Sequence, residues 1–311
     1  MNPVAKITAF VAALTASFGA AYGIGAAVGT GAGNSGSPER AGHTRSTAPP
    51  HARESRAALP PGGLQVTEGG YTLDLRTPRL EAGQRGELRF AVRDGAGEPV
   101  TEFRREHGKE LHLILASRDL VTYRHLHPAR AADGTWSTPV ELPAAGDYRV
   151  FADFTPAGGS TEDLTLGADL AVSGPYRAAE LPKPARTAVV DGYTVSLNGA
   201  LRAGTPERLT FTVRKDGRPV TGLQPYLGAY GHLVALRAGD LAYLHVHPDG
   251  STKPGPGVSF TATAPSSAGY RLFLDFKHGG TVRTAAFTVP STAAAQAPGT
   301  TAPSDEHGHG H

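Results

Sequence analysis

Two blocks of three histidines are the residues of this sequence best suited to chemistry. Each block contains a single histidine, then an Asp-Leu pair, a tyrosine and a His-x-His-Pro ending, although much of the sequence around them differs. Histidine is the commonest metal ligand among side chains and the one that titrates nearest neutral pH. The first block, HLILASRDLVTYRHLHP, supplies His112, His125 and His127, and the second, HLVALRAGDLAYLHVHP, supplies His232, His245 and His247.

The spacing within each block indicates how the imidazoles could converge. Residues i and i+2 of a strand project from the same face, so His125 and His127 point together while Leu126 points to the other face. A hairpin pairing would place His112 about 5 Å from one member of that pair. A His-x-His pair and one histidine from an adjacent strand form the ligand set of a three-histidine zinc or copper site.

Carboxylates and further histidines could support such a site. Four aspartates near the blocks are candidate ligands or hydrogen-bond partners of the ring N–H groups: Asp119, Asp153, Asp240 and Asp275. The chain ends in DEHGHGH, and short histidine-rich tails can chelate metals, which predicts an auxiliary site. That site would use His307, His309 and His311.

A purely structural role for the histidines stays open. A strand imidazole can hydrogen-bond a neighbouring carbonyl oxygen, and a His-Pro pair can end a strand by removing the next backbone donor. Convergence of three rings on one point would favour a metal. Divergent rings, each bonded to a separate carbonyl group, would favour the structural alternative.

Composition restricts the chemistry. The chain has no cysteine and a single methionine, so a metal site must use nitrogen and oxygen ligands, which suits Cu(II) or Zn(II). The net charge of +2, with both signs mixed along the chain, gives no basic patch for nucleic acid. Neither a nucleophile elbow, a P-loop, an H-E-x-x-H motif nor a dinucleotide fingerprint occurs, so we expect no enzyme activity.

The elements that must position the histidines form two repeats. LRFAVRDGAGEPVT matches LTFTVRKDGRPVT, and GDYRVFADF matches GYRLFLDF, which aligns Asp153 with Asp275. With 40 glycines and 25 prolines between short strand-like segments, each repeat has the rhythm of an immunoglobulin-like sandwich. The sequence predicts an all-β protein with two tandem immunoglobulin-like β-sandwiches, residues 63–174 and 188–290, joined by a linker at 175–187.

The N-terminus predicts export. An uncharged run from Ile7 to Thr30 follows Lys6 and is long enough to span a bilayer. We expect residues 1–30 to be a transmembrane signal-anchor, with the body outside the cytoplasm; the alternative is secretion after signal cleavage. Residues 31–62 and 291–311 are expected to be a disordered linker and tail.

The HLHP and HVHP motifs, and above all the segment GLQPYLGAYGHLVALRAGDLAYLHVHP, resemble exported bacterial proteins with tandem YtkA/FixH-like domains, described as heavy-metal-associated. The resemblance covers about residues 64–290. In architecture the chain is also similar to CopC-like periplasmic copper carriers. Those carriers use the histidine at their mature N-terminus, which a long linker replaces here, so their ligand set is not carried over.

These observations predict a membrane-tethered, extracytoplasmic protein that binds Cu(II) or Zn(II) for buffering or delivery. A metal-transporting membrane protein is the expected partner, and the sequence does not fix the oligomeric state. The alternative is a structural or interaction module of the cell envelope, whose histidines are internal hydrogen-bonding groups or pH sensors.

Overall fold

The computed structural model describes residues 61–158, 163–244, 246–250 and 253–293. Within these ranges the chain forms 22 β-strands and no α-helix, which confirms the all-β prediction. The predicted N-terminal helix and most of the predicted linker and tail lie outside the described residues.

Repeat 1 is a sandwich of two sheets. One sheet has the strand order β1-β2-β4-β9-β8, and the other has β3-β11-β10-β6-β7, with β5 paired to β10. The strands are β1 (Thr67–Glu68), β2 (Tyr71–Leu75), β3 (Arg79–Glu81), β4 (Arg85–Arg93), β5 (Phe103–Arg104), β6 (His112–Ser117), β7 (Tyr123–Leu126), β8 (Ala129–Arg130), β9 (Thr135–Glu141), β10 (Gly146–Pro156) and β11 (Leu164–Ser173).

Repeat 2 has the same plan. Its sheets have the orders β12-β13-β15-β20-β19, with β16 paired to β15, and β14-β22-β21-β17-β18. The strands are β12 (Thr187–Val190), β13 (Tyr193–Asn198), β14 (Leu201–Arg202), β15 (Pro206–Lys215), β16 (Arg218–Pro219), β17 (His232–Arg237), β18 (Tyr243–Leu244), β19 (Val246–Pro248), β20 (Gly257–Thr263), β21 (Gly269–His278) and β22 (Thr281–Thr292).

Side chains that alternate along the strands fill a separate core in each repeat. On β6, Leu113 and Leu115 point into the core of repeat 1, and Leu126 of β7 packs against it. This agrees with the prediction that Leu126 faces away from the histidines. Alternate residues of β4 and β15 also point into the core of their repeat, since the core residues are Leu88, Phe90 and Val92 in repeat 1 and Leu209, Phe211 and Val213 in repeat 2.

The outer faces of β6 and β10 are buried as well, because repeat 2 packs against them. Tyr123 stacks on Phe273 with ring centroids 4.1 Å apart, and Phe151 lies 5.7 Å from Tyr243. In the aligned repeats Tyr123 corresponds to Tyr243 and Phe151 to Phe273, so the two contacts are reciprocal, as in a pseudo-two-fold interface. The buried residues of this cluster are Ile114, Ala116, Leu120, Tyr123 and Phe151 of repeat 1 and Val234, Leu236, Leu241 and Phe273 of repeat 2.

This interface decides where the histidines lie. His112 shares the outer face of β6 with Ile114 because the side-chain period of a strand is two. Ile114 is fully buried between the repeats, and all six residues of β6 are buried. The first histidine block is therefore turned towards repeat 2.

Candidate metal centre

The hairpin of β6 and β7 brings the three histidines of repeat 1 together. Its register pairs Ile114 with His125 and Leu113 with Leu126. One step further along this register, His127 falls opposite His112. One coordinating nitrogen from each of His112, His125 and His127 lies within 4.8 Å of the other two. The convergence predicted from the spacing is thus present in repeat 1.

The separation of the rings matches that required by a single ion. A tetrahedral metal about 2.0–2.1 Å from each nitrogen would hold imidazole centroids about 5.2 Å apart. The observed centroid distances are 5.3 Å for His112–His125, 5.4 Å for His112–His127 and 4.9 Å for His125–His127. Small side-chain shifts would bring the three nitrogens to a common ion.

Hydrogen bonds at the far side of two rings fix which nitrogen faces the centre. His112 Nε2 lies 3.3 Å from the Glu106 carbonyl oxygen, and His125 Nδ1 lies 2.8 Å from Asp275 Oδ2. A carbonyl or carboxylate oxygen can only accept, so each of these nitrogens donates and the other nitrogen of a neutral ring bears a lone pair. This is the arrangement typical of metal-ligating histidines.

As a consequence, two lone pairs face each other if both rings are neutral. His112 Nδ1 and His125 Nε2 are 3.1 Å apart. In addition, the Nε2 atom of His127 is buried and has no hydrogen-bond partner among the described residues. Buried polar atoms are nearly always satisfied, so a positive charge at the centre of these three nitrogens would complete the site. A metal ion would supply that charge, and a proton shared by two rings is the alternative.

Burial keeps His112, His127 and His232 neutral near pH 7. Removal from solvent, reinforced by the neighbouring imidazoles, lowers the pKa of His112 to about 3 and the pKa of His127 to about 4. Burial likewise lowers the pKa of His232 to about 4. A neutral imidazole is the form that binds a metal, so these rings would not need to lose a proton at pH 7.

Repeat 2 supplies the group that orients His125. The carboxylate of Asp275, on β21, accepts from His125 Nδ1, and both side chains are almost completely buried, at 6% and 3% exposed. The other oxygen of Asp275 accepts from the Thr284 hydroxyl. Of the four aspartates predicted from the sequence, Asp275 is the one that contacts the cluster as a hydrogen-bond partner.

The cluster also contains residues that the sequence did not single out. The ring of Tyr226 lies edge-on to His127 and His232, with centroids 5.9 Å and 5.6 Å away. His107 lies 5.2 Å from His232 and 6.2 Å from His112. Both come from the loops that precede β6 and β17. Their only sequence signal is a place shortly before a histidine block. Tyr226 lies six residues before His232, and His107 lies five residues before His112.

The other three predicted aspartates have different surroundings. Asp153 is paired in register with His112, but its carboxylate accepts from the Thr165 hydroxyl at 2.7 Å, and burial raises the pKa of Asp153 to about 6. Asp119 and Asp240 lie in the turns that follow β6 and β17. Asp119 accepts from Ser117 and Val121, and Asp240 accepts from Arg237 and Ala242.

These turns are at the opposite end of the strand from the first histidine. β6 runs over six residues from His112 to Ser117, which is five steps of about 3.3 Å, so Asp119 is on the order of 15 Å from the cluster. The structure thus places Asp119 and Asp240 as turn-forming residues away from the three converging imidazoles.

The second histidine block is divided. His232 begins β17 and lies beside the repeat-1 cluster, whereas His247 on β19 is exposed. His245 and the tail residues His307, His309 and His311 lie outside the described residues. The predicted second site in repeat 2 and the auxiliary tail site therefore remain predictions.

Within the described ranges, no helix is long and apolar enough to cross a membrane. The predicted signal-anchor at residues 1–30 is not among the residues described.

Sequence comparison identifies both repeats as copies of one domain. Residues 65–167 and 188–293 each match the family described as Domain of unknown function (DUF8832). The two matches support the internal repeat found in the sequence. No protein of curated function matches the chain.

Solved structures similar to this chain include multi-domain surface proteins. The Escherichia coli adhesin FdeC is 16% identical over 72% of this chain and 65% of its own, with a TM-score of 0.25. InvD of Yersinia pseudotuberculosis is 16% identical over 76% and 62%, with a TM-score of 0.24. Domains 5–6 of the S-layer protein SbsC are 13% identical over 71% and 97%, with a TM-score of 0.22. Similarity at this level carries no inference about function.

Proposed function

Because the chain belongs to the family defined by the domain of unknown function DUF8832, whose description assigns no activity, we propose a function from the geometry of the histidine cluster alone. The protein binds a divalent metal ion, Cu(II) or Zn(II), through His112, His125 and His127. Its role is metal buffering or delivery without catalysis.

One observation carries this proposal. His112 Nδ1 and His125 Nε2 lie 3.1 Å apart, beside the Nε2 atom of His127, which has no hydrogen-bond partner among the described residues. Three imidazole nitrogens that turn their lone pairs towards one buried point repel one another unless a cation occupies it. The low pKa of His112 and of His127 means that neither of these two rings carries a proton near pH 7.

The choice of metal follows from the donor set. Three imidazole nitrogens with a water or another nitrogen or oxygen ligand suit Zn(II) in a tetrahedral site and Cu(II) in a more planar one. With no cysteine, and with the only methionine at the initiator position, the chain has no thiolate for a soft metal. We therefore propose Cu(II) or Zn(II), and not Cu(I), as the bound ion.

The setting of this function is proposed from the sequence. A signal-anchor at residues 1–30 would tether the two sandwiches outside the cytoplasm, where a metal-transporting membrane protein could receive the ion. This setting is what the resemblance to YtkA/FixH-like exported proteins implies, and a carrier role would be similar to that of CopC-like proteins.

Metal stoichiometry and affinity test the proposal. The full chain is purified with His307, His309 and His311 replaced by serine, so that the tail does not contribute, and is titrated with Zn(II) and Cu(II) by calorimetry and elemental analysis. We expect tight binding that is lost in His125→Ala/His127→Ala. Absence of binding by the folded parent, or unchanged binding in that variant, would refute the proposal.

A structural module of the cell envelope is the second candidate, and one observation favours it. His112 and His232 each bond a carbonyl oxygen six residues upstream, at Glu106 and Tyr226, so the same contact closes the same loop in both repeats. Under this alternative the parent binds no metal, and His112→Ala and His232→Ala lower the free energy of unfolding by similar amounts.

A further inference from the structure

We propose that His232 of repeat 2 is the fourth ligand of the metal site, so that the bound ion joins the two repeats. This inference rests on the proposed function and adds that neither repeat holds the complete site. A divalent metal would then act as a clamp between two immunoglobulin-like domains.

The strand pairing of repeat 2 directs His232 towards the cluster. On neighbouring strands β17 and β21, His232 is paired in register with Asp275. The carboxylate of Asp275 is already bonded to His125 of repeat 1. His232 is therefore held beside the residue of repeat 2 that is hydrogen-bonded to His125.

The distances leave a small movement to complete the coordination. The ring of His232 is 6.1 Å from the ring of His112 and 6.1 Å from the ring of His125. Imidazoles that share a tetrahedral ion have centroids about 5.2 Å apart, so His232 would move inward by about 1 Å.

The hydrogen bonding of His232 leaves a nitrogen available for the metal. Its Nε2–H group donates to the Tyr226 carbonyl oxygen at 2.8 Å, so Nδ1 bears the lone pair of the neutral ring. His112 has the same arrangement with the carbonyl oxygen of Glu106. The first histidine of each block, His112 in repeat 1 and His232 in repeat 2, would thus bind the metal through Nδ1.

His107 is the other imidazole near His232, but it is less suited to be the fourth ligand. It is exposed in the loop before β6, whereas His232 is half-buried at the start of a strand. A ligand on a strand is held in place by the backbone hydrogen bonds of the sheet. His107 is better placed as a neighbour of the site than as part of it.

Docking of the repeats is already extensive without metal. Tyr123 of repeat 1 stacks on Phe273 of repeat 2, with their ring planes at 7°. This contact holds the two halves of the site in register, and an ion with three ligands from repeat 1 and one from repeat 2 would reinforce it. Metal binding then stabilises the paired arrangement of the repeats.

Zinc X-ray absorption on the full chain, with the three tail histidines replaced by serine, tests the inference. At one equivalent of Zn(II) we expect four imidazole nitrogens in the parent and three in His232→Gln, whose amide can still donate to the Tyr226 carbonyl oxygen. We expect the zinc affinity of His232→Gln to fall by about 10–100-fold. His278→Gln is the matched control, because its imidazole contacts Tyr193 and not the cluster.

Three imidazoles in the zinc-loaded parent would overturn the inference, whether or not His232→Gln folds. So would a His232→Gln affinity equal to that of the control. These outcomes differ from failure of the proposed function, in which the folded parent binds no zinc or His127→Ala binds it as well as the parent does.

Discussion

The two repeats have the same histidine block, but its described histidines have different neighbours in each repeat. In repeat 1, His112, His125 and His127 converge around one buried point. In repeat 2, His232 lies beside that same point, and His247 is exposed on β19. The interface between the copies thus gives the described histidines of the two blocks different neighbours.

The apolar and polar contacts of this interface differ in symmetry. The aromatic pairs Tyr123–Phe273 and Phe151–Tyr243 are reciprocal, as the pseudo-two-fold arrangement requires. The loops before the blocks are not equivalent in chemistry, since Glu106 and His107 of repeat 1 correspond to Tyr226 and Leu227 of repeat 2. The reciprocal aromatic contacts determine how the two repeats dock. The loops before β6 and β17, which differ in sequence, lie around the histidine cluster.

The largest expected effect is on the ligands of repeat 1. Structural zinc sites contribute about 10–16 kcal/mol of apparent binding free energy, so removing two ligands in His125→Ala/His127→Ala should weaken zinc binding at least ~1000-fold. Replacing the exposed His247 by alanine should have a much smaller effect. Competition titration with a chromophoric chelator measures both, and equal losses would show that the repeats are equivalent.

The next largest effect is expected when one aromatic side chain is removed from the interface between the repeats. Phe273→Ala and Phe151→Ala should each lower the free energy of unfolding by about 3–5 kcal/mol, the usual range for a buried phenylalanine. Because the two contacts are reciprocal, the losses should agree to within about 1 kcal/mol. Urea denaturation of the metal-free protein measures them. A loss below about 1 kcal/mol for either variant would mean that the repeats do not dock as described.

Replacement of the two aligned aspartates, Asp153 and Asp275, should change the metal affinity by different amounts. Asp275→Asn removes the charge that holds His125, and loss of such a partner costs about 10–100-fold in metal affinity. Asp153→Asn should cost less than about threefold, because the Asp153 carboxylate is bonded to Thr165. Calorimetric zinc titration compares the two. A larger loss in Asp153→Asn would place the site beside Asp153 and not beside Asp275.

The smallest effect expected is a pH dependence of the metal-free protein. The pKa values of His112 and His232 are below the ordinary value of 6.5, so below that pH the unfolded chain binds protons that the folded chain does not. Stability therefore falls as the pH drops, by about 1 kcal/mol between pH 7 and pH 6 for the two residues.

Urea titrations at the two pH values measure this change. Each of His112→Gln and His232→Gln should remove about half of it, because burial lowers the pKa of both rings well below the ordinary value. Stability that increased towards pH 6 would contradict the burial of neutral imidazoles.

Local patterns in the sequence were sufficient to predict the fold and the repeat-1 histidines of the site. The i,i+2 spacing put His125 and His127 on one face and Leu126 on the other, where it packs against the core. The family match at residues 65–167 and 188–293 confirms the repeats.

Contacts between the repeats could not be predicted in the same way. The uninterrupted burial of β6 was visible in its apolar run HLILA, which is typical of a strand covered on both faces, but the run does not identify what covers it. The choice of Asp275 over Asp153, and the positions of Tyr226 and His107, depend on how the two sandwiches dock. No local pattern determines that geometry.

Anomalous diffraction at the zinc edge, from crystals of the full chain grown with one equivalent of Zn(II), tests the central claim most directly. The account predicts one strong peak between repeat 1 and repeat 2, about 2.0–2.1 Å from His112 Nδ1, His125 Nε2 and His127 Nε2. A well-ordered cluster without a peak, with zinc bound only elsewhere on the chain, would contradict it.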